Sequence, residues 1–489
     1  MGTTETPPGM RRSQILGLIG GPILAALVFW LIPGEDAGGL ANPGRATAAI
    51  GVLMASWWLT EALPLPATAL LPLALFPLFG VASSGNAAAP YASDVIFLFM
   101  AGFILGLGME RWGLHRRVAL RIILAVGTAP RRLVGGFMIA AAVLSMWISN
   151  TAATIILLPV AISVIRMLQT PDAEDQPAVT QFATCLVLAI AYSASIGGVG
   201  TLIGSPPNLV AAGFLESRLD CSIGMLDWMR FGLPLVLFFL PLAWLYLVWF
   251  AFPLQLQRTT GGETQIRQSL LELGAMSRGE KIISAVFGLT ALGWVLRPQL
   301  NSLPGLELLS DAAIGMLGAL SLFLIPVHRG KRAMDWDTAL RLPWGVLLLF
   351  GGGLSLAAAI GTHEVDIFIA GGIRALGEIP LWLLLVVSVT LVKFMTELTS
   401  NTAIATTFIP VLAAVAVGMG APPEMLVIAV ALSASYAFIM PVATPPNAIV
   451  FASGHVTIGQ MARAGLGLNL LSIVPVSIAA WLASGTLCG

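Results

Sequence analysis

Charge is what this chain has least of. Only 10% of its 489 residues are charged and 57% are hydrophobic, whereas a soluble domain carries about 25% charge. That shortage excludes an ordinary water-soluble domain, and no long polar segment leaves room for an appended one. Basic residues are not in excess either: 24 Lys and Arg balance 24 Asp and Glu. No basic cluster is interleaved with aromatics, so nucleic acid is excluded as a partner. Cysteine is nearly absent. Cys185, Cys221 and Cys488 lie far apart, without metal-ligand spacing or a disulfide framework, and read as small membrane-compatible residues. The four histidines, His115, His328, His363 and His455, are equally dispersed, which argues against a metal or haem centre.

What the chain does have is apolar runs of about 20 residues, recurring from Ile15 to Leu482, each long enough to cross a bilayer. It therefore reads as an all-α polytopic membrane protein with about eleven transmembrane helices. Arg11 and Arg12 precede the run Ile15 to Ile32 as in a signal peptide, but the run is long and no small-residue cleavage site precedes Pro33-Gly34. An uncleaved first helix is expected. Further on, the prolines of Leu63-Pro64-Leu65-Pro66 and Pro72 break helix hydrogen bonds, so this segment should face protein rather than lipid. A basic stretch from Arg111 to Arg132 reads as a cytoplasmic loop.

Two features recur. Ser149-Asn150-Thr151-Ala152 splits the apolar region 133–168 into two short arms, and Ser400-Asn401-Thr402-Ala403 splits 381–417 likewise. Each pattern predicts a re-entrant hairpin with the triplet at its tip. Each is followed by a helix interrupted by glycine and proline, at Gly197 to Asn208 and at Ala443 to Asn447. Unwound backbone at membrane depth belongs beside a cavity. Asn401 lies 251 residues after Asn150, as Thr396 does after Ser145, and Asn447 lies 239 after Asn208. The twelve-residue difference is about the size of the polar loop from Gln169 to Gln181. The organisation expected is a first segment 1–44, a repeat 45–254, a cytoplasmic linker 255–281 and a second repeat 282–489. With an inside amino terminus and an outside carboxyl terminus, most Lys and Arg fall inward and only Arg45, Arg218, Arg297 and Arg374 fall outward. Five crossings per half then make the repeats inverted.

Inverted repeats with matching broken helices point to the midplane site of a secondary transporter. Free N–H groups at the start of a hairpin arm suit an anion. Unwound carbonyls and the Ser and Asn oxygens suit a small hard cation such as sodium. One site can hold a divalent anion between two cations. A polar residue in a single membrane helix more often bonds a neighbouring helix, and an isolated glycine or proline more often marks a kink. The duplication is what favours function here.

The chain resembles the divalent anion/sodium symporters, carriers of dicarboxylates, tricarboxylates and sulfate. The resemblance rests on Thr60-Glu61-Ala62-Leu63-Pro64-Leu65-Pro66, both Ser-Asn-Thr triplets, Ser205-Pro206-Pro207-Asn208 and Ala443-Thr444-Pro445-Pro446-Asn447, and it spans nearly the whole chain. It implies one sodium site from Ser145, Ser149, Asn150 and the Gly204 backbone. It implies another from Thr396, the Thr399 backbone, Asn401 and the Ala443 backbone. Substrate carboxylates would meet Ser149, Asn150, Thr151, Ser400, Asn401, Thr402, Thr444 and Pro445. It further implies a homodimer in which a moving domain works against a fixed scaffold like an elevator; the location expected is a bacterial inner membrane.

The function expected is sodium-coupled import of a dianion such as succinate, malate or fumarate. A sodium-independent exchanger, or a sulfate or citrate carrier of the same family, is the alternative. Lys393 is the residue that raises the exchanger, because an ammonium can stand in for sodium; its position four residues before Glu397 instead predicts an ion pair. An anion channel is disfavoured by two opposed half-sites. An intramembrane enzyme is disfavoured because neither triplet has a His or carboxylate beside it in sequence.

Overall fold

The computed structural model describes residues 11–168, 176–256, 262–328, 330–374, 379–485 and 487–488. Its described elements are helices, apart from a small antiparallel pair, Pro326–His328 with Lys331–Arg332. A helix satisfies its own backbone, which a hydrocarbon solvent demands. Among the described residues nine helices are long and apolar enough to cross a membrane. Four shorter apolar helices join them, Leu65–Leu78, Asp311–Leu324, Leu381–Met395 and Pro423–Ser435.

Burial separates lipid-facing from interior helices. The most apolar stretch of Arg12–Leu31 is 11% buried within the protein, whereas that of Gln176–Gly198 is 89% buried. The first helix packs along Asn42–Thr60 at the periphery, while Gln176–Gly198 sits among the first hairpin and the second broken helix. The proline-spaced segment faces protein, as expected. Leu65–Thr68 packs on Trp344–Thr362, and the Tyr91 hydroxyl donates to the Ala69 carbonyl.

Both hairpins break at the triplets, into Pro130–Ser145 with Asn150–Leu168 and Leu381–Met395 with Asn401–Gly418. Both following helices break at the proline pairs, into Gln176–Gly198 with Pro206–Leu219 and Pro423–Ser435 with Pro445–Ala452. The halves interleave. Pro445–Ala452 packs against Asn150–Leu168 and Gln176–Gly198, and Pro206–Leu219 packs against Asn401–Gly418 and Pro423–Ser435.

Several expectations are corrected. The basic stretch is no simple loop: Leu114–Val126 is an amphipathic helix, matched 251 residues later by Val365–Arg374. The expected polar loop to Gln181 ends earlier, because a helix begins at Gln176; its residues 169–175 lie outside the described ones. The twelve-residue surplus is largely helical, since Gln176–Gly198 has 23 residues and its counterpart Pro423–Ser435 has 13. The linker, of which residues 257–261 lie outside the described ones, contains the helix Gly262–Glu272. It is clasped to the basic helix. Buried Arg117 pairs with Glu280 at 2.6 Å and also donates to the carbonyl of Gly274 at 2.9 Å. Breaking such a pair leaves a buried charge alone, at a cost of about 3–5 kcal/mol.

The cysteine expectation is overturned as well. Cys221 and Cys488 are joined by a disulfide, with Cα atoms 5.4 Å apart across 267 residues of sequence, and Cys185 is free and buried. The fold brings the turn after Pro206–Leu219 beside the end of the last helix, Ile458–Ser484. Spacing along the chain carries no sign of that proximity.

Candidate functional site

The first half-site is built where three breaks in helices meet. Ser145 ends the first hairpin arm and Asn150 begins the second. The Ser145 hydroxyl is placed to donate to the Ala194 carbonyl at 2.6 Å and also meets Asn150 Oδ1. The unwound stretch 199–205 brings backbone oxygens to the same spot. A methyl group built on Gly198 would lie 2.8 Å from Asn150 Oδ1 and 3.0 Å from the Gly204 carbonyl oxygen. One on Gly204 would lie 2.5 Å from the Gly198 oxygen and 3.0 Å from the Ser145 oxygen. The loop at Gly198 thus closes against the Asn150 amide, and the loop at Gly204 against the Ser145 carbonyl. Asn208 fixes the loop by donating both Nδ2 hydrogens, to Gly198 O at 3.0 Å and to Thr201 O at 2.9 Å.

The second half-site repeats this arrangement with one carbonyl shifted by a residue, since Ala434 lies 240 residues after Ala194. Thr396 Oγ1 lies 3.0 Å from the Ala434 oxygen and 2.7 Å from Asn401 Oδ1. Asn447 Nδ2 donates to Ala437 O at 3.2 Å and Met440 O at 3.1 Å. These partners are the residues 239 after Gly198 and Thr201. Ser205 and Ser435, one from each broken helix, share a hydrogen bond of 2.8 Å that ties the half-sites together.

Of the expected ion ligands, Ser145, Asn150 and Gly204 converge, and so do Thr396 and Asn401. Ser149 is exposed and its hydroxyl accepts from Ala152 N–H at 3.1 Å, capping the second arm instead of joining the cluster. The Thr399 hydroxyl is buried without a partner, and the Ala443 N–H donates to Met440 O at 3.2 Å. Thr151, Ser400 and Thr402 sit half-buried at the hairpin tips. Thr444 is buried and caps Pro445–Ala452 through Asn447 N–H, whereas Pro445 is exposed. A cavity of about 450 Å³ opens further along the first hairpin, lined by Ile155, Leu158, Pro159, Ile162, Ser163, Arg166 and Ile449. None of its lining residues belongs to a triplet.

Gly198, Ala194, Ala434 and Ala437 were not singled out from sequence as ligand positions. Carbonyl donors carry no side-chain signature; the glycine cluster 197–200 was the available signal. Lys393 and Glu397 do not form the expected ion pair. The Glu397 carboxylate instead accepts from the N–H groups of Phe438, Ile439 and Met440, at 2.7, 3.0 and 3.1 Å, and from Asn469 Nδ2 at 2.7 Å. The unwound loop supplies these donors because its N–H groups have no helical partners, and they satisfy the carboxylate without the lysine.

A hydrocarbon-solvated helical protein with two equivalent oxygen-lined half-sites at broken helices is a polytopic membrane transporter, not an enzyme. Residues 15–485 match the family described as the sodium:sulfate symporter transmembrane region. The chain belongs to that family, the divalent anion/sodium symporters. It is 42% identical over 471 residues to the sodium-dependent dicarboxylate transporter SdcS of Staphylococcus saprophyticus, covering 95% of this chain and 90% of that protein. It is 39% identical to SdcS of Staphylococcus aureus strain USA300, covering 94% and 89%. Two solved structures share the fold. The Alcanivorax borkumensis YdaH transporter has a TM-score of 0.55 at 15% identity, covering 92% of this chain and 100% of that one. Neisseria gonorrhoeae MtrF has a TM-score of 0.57 at 12% identity, covering 93% and 96%.

Proposed function

We propose that this protein imports a divalent organic anion such as succinate, malate or fumarate together with sodium. The observation that carries the reading is the duplicated oxygen cluster, Ser145, Asn150 and Ala194 against Thr396, Asn401 and Ala434. Sodium is cargo here. Each cluster offers only uncharged oxygens, which suit a hard monovalent cation, and each stands at the C-terminal, electronegative end of helices. The anion would lie between them, against the free N–H groups that open Asn150–Leu168 and Asn401–Gly418, with Thr151, Ser400, Thr402, Thr444 and Pro445 around it. The relatives named as sodium-dependent dicarboxylate transporters support this choice of cation and anion.

Two sodium ions neutralise one dianion in a low-dielectric site where no arginine clamp was evident in the sequence. Without them the dianion's desolvation would oppose entry. The repeats, with boundaries near 45–254 and 282–489, would be inverted about the membrane plane with re-entrant hairpins. The pair of hairpins with the broken helices would move as one elevator against the remaining helices of a homodimer. The amino end would face the cytoplasm of a bacterium and the carboxyl end the outside.

The test is labelled succinate uptake into liposomes under an inward sodium gradient, with and without an inside-negative potential. Sodium dependence and acceleration by the potential are expected, the latter if more than two ions accompany each dianion. Uptake unchanged when choline replaces sodium would refute coupling and leave the exchanger.

A further inference from the structure

The two half-sites agree in their oxygens but differ sharply one layer behind them. Residues 251 apart in the hairpins pair Ala142 with Lys393 and Met146 with Glu397. Residues 239 apart in the broken helices pair Gly197 with Tyr436 and Val199 with Phe438. In the first repeat this layer is apolar and close-packed. In the second it holds a lysine with no exposed surface.

The Lys393 ammonium lies 3.4 Å from the Tyr436 carbonyl oxygen, and 5.2 and 5.8 Å from the ring centroids of Tyr436 and Phe438. Tyr436 is the residue that ends Pro423–Ser435, so the ammonium sits at the electronegative end of that half-helix. Aromatic faces stabilise a desolvated cation there. The same helix end supplies the Ala434 carbonyl to Thr396, three residues along the hairpin arm from Lys393. Lys393 therefore stands three residues, about one helical turn, along the arm from Thr396, and the buried Glu397 carboxylate is the next residue after Thr396. The first cluster has alanine at the position of Lys393.

We propose that Lys393 is a resident cation that weakens sodium binding at the Thr396–Asn401 site while drawing the dianion toward the same half. This rests on the sodium-coupled reading above. Two unit charges separated by on the order of 10 Å at an effective dielectric of about 20 repel enough to weaken binding roughly tenfold. Glu397 does not cancel this effect when Lys393 alone is replaced, because the carboxylate and its four donors are the same in both proteins.

The experiment compares wild type, Lys393→Met and Lys393→Arg in liposomes, titrating sodium at fixed succinate and then succinate at saturating sodium. Lys393→Met is expected to lower the half-saturating sodium concentration about tenfold and to raise the half-saturating succinate concentration. Lys393→Arg is expected to keep both near wild type. A purely structural role would worsen both affinities together in Lys393→Met, and that result, or unchanged sodium affinity, overturns the proposal. If Lys393→Met does not fold, Lys393→Gln supplies the neutral comparison, read by sodium-dependent thermal stabilisation of the purified protein. Lys393→Gln should be stabilised at a lower sodium concentration than wild type; an unchanged or higher requirement overturns the proposal. A wild-type protein with no sodium response in either assay would sink the coupling itself, a failure recognisable before any variant is compared.

Discussion

Gly204→Ala tests the first oxygen cluster through its backbone. The added methyl would stand 2.5 Å from the Gly198 carbonyl oxygen and 3.0 Å from that of Ser145. Neither is the end of a flexible side chain, so relief requires the unwound loop or the hairpin tip to move. Such overpacking costs about 1–3 kcal/mol. If the cost falls on the ion-binding arrangement, sodium binding weakens by roughly fivefold to 150-fold, at 1.4 kcal/mol per factor of ten. The repeat supplies its own control. Ala443, 239 residues after Gly204, already carries a methyl group, so Ala443→Gly relieves space and introduces no clash. Sodium titration of succinate uptake, with choline holding ionic strength constant, should show a large rise in half-saturating sodium for Gly204→Ala and a much smaller change for Ala443→Gly. A Gly204→Ala protein that elutes as a single species and keeps the wild-type half-saturating sodium would refute the placement of an ion at these carbonyls.

Asn150→Ala and Asn401→Ala should each reduce uptake severely at normal membrane expression, because each removes the amide from a different oxygen cluster; either variant transporting at the parental rate and affinity would make the triplets structural glue. Cys221 and Cys488 should resist impermeant thiol reagents in intact cells until an impermeant reductant is added, since an outward-facing disulfide persists in an oxidising compartment; labelling only after permeabilisation would place that end inside. The Arg111 guanidinium, 2.5 Å away, holds the Asp335 carboxyl down to about 2. A carboxylate depressed in the folded state stabilises the fold above its unfolded value of about 4 and loses that contribution as pH falls toward 2. Thermal stability should thus fall less between pH 5 and 3 in Asp335→Asn than in wild type, and equal slopes would count against the pair.

Much of this was legible in the sequence because the membrane leaves few options. Apolar length reports a crossing, and a polar triplet or proline pair within it reports a break. The 251- and 239-residue offsets then joined Ser145 to Thr396 and Asn208 to Asn447 before any coordinate was known. What escaped was either carried by main chain or created by tertiary proximity. The carbonyls of Ala194 and Ala434 have no sequence signature. The Arg117–Glu280 clasp and the Cys221–Cys488 bridge join residues 163 and 267 apart with no local pattern between them. Leu114–Val126 was hidden because its arginines interrupt the apolar run that marks a crossing. The spacing of Lys393 and Glu397 suggested a helical ion pair. The unwound loop outcompetes it with three N–H donors that a continuous helix would never have freed.

Main-chain ligands also decide where such a site can vary. A carbonyl cannot be mutated away, so the chemistry of each cluster changes mainly through the side chains that hold its loop. Asn208 and Asn447 are the shared anchors: each donates twice to its loop. Beyond this shared pair the anchors diverge. Trp228 Nε1 donates to Val199 O at 2.9 Å in the first half, whereas Glu397 gathers the N–H groups of residues 438–440 in the second. Two clusters with the same oxygens are thus braced from opposite polarities, one through a carbonyl and one through N–H groups beside a buried ammonium.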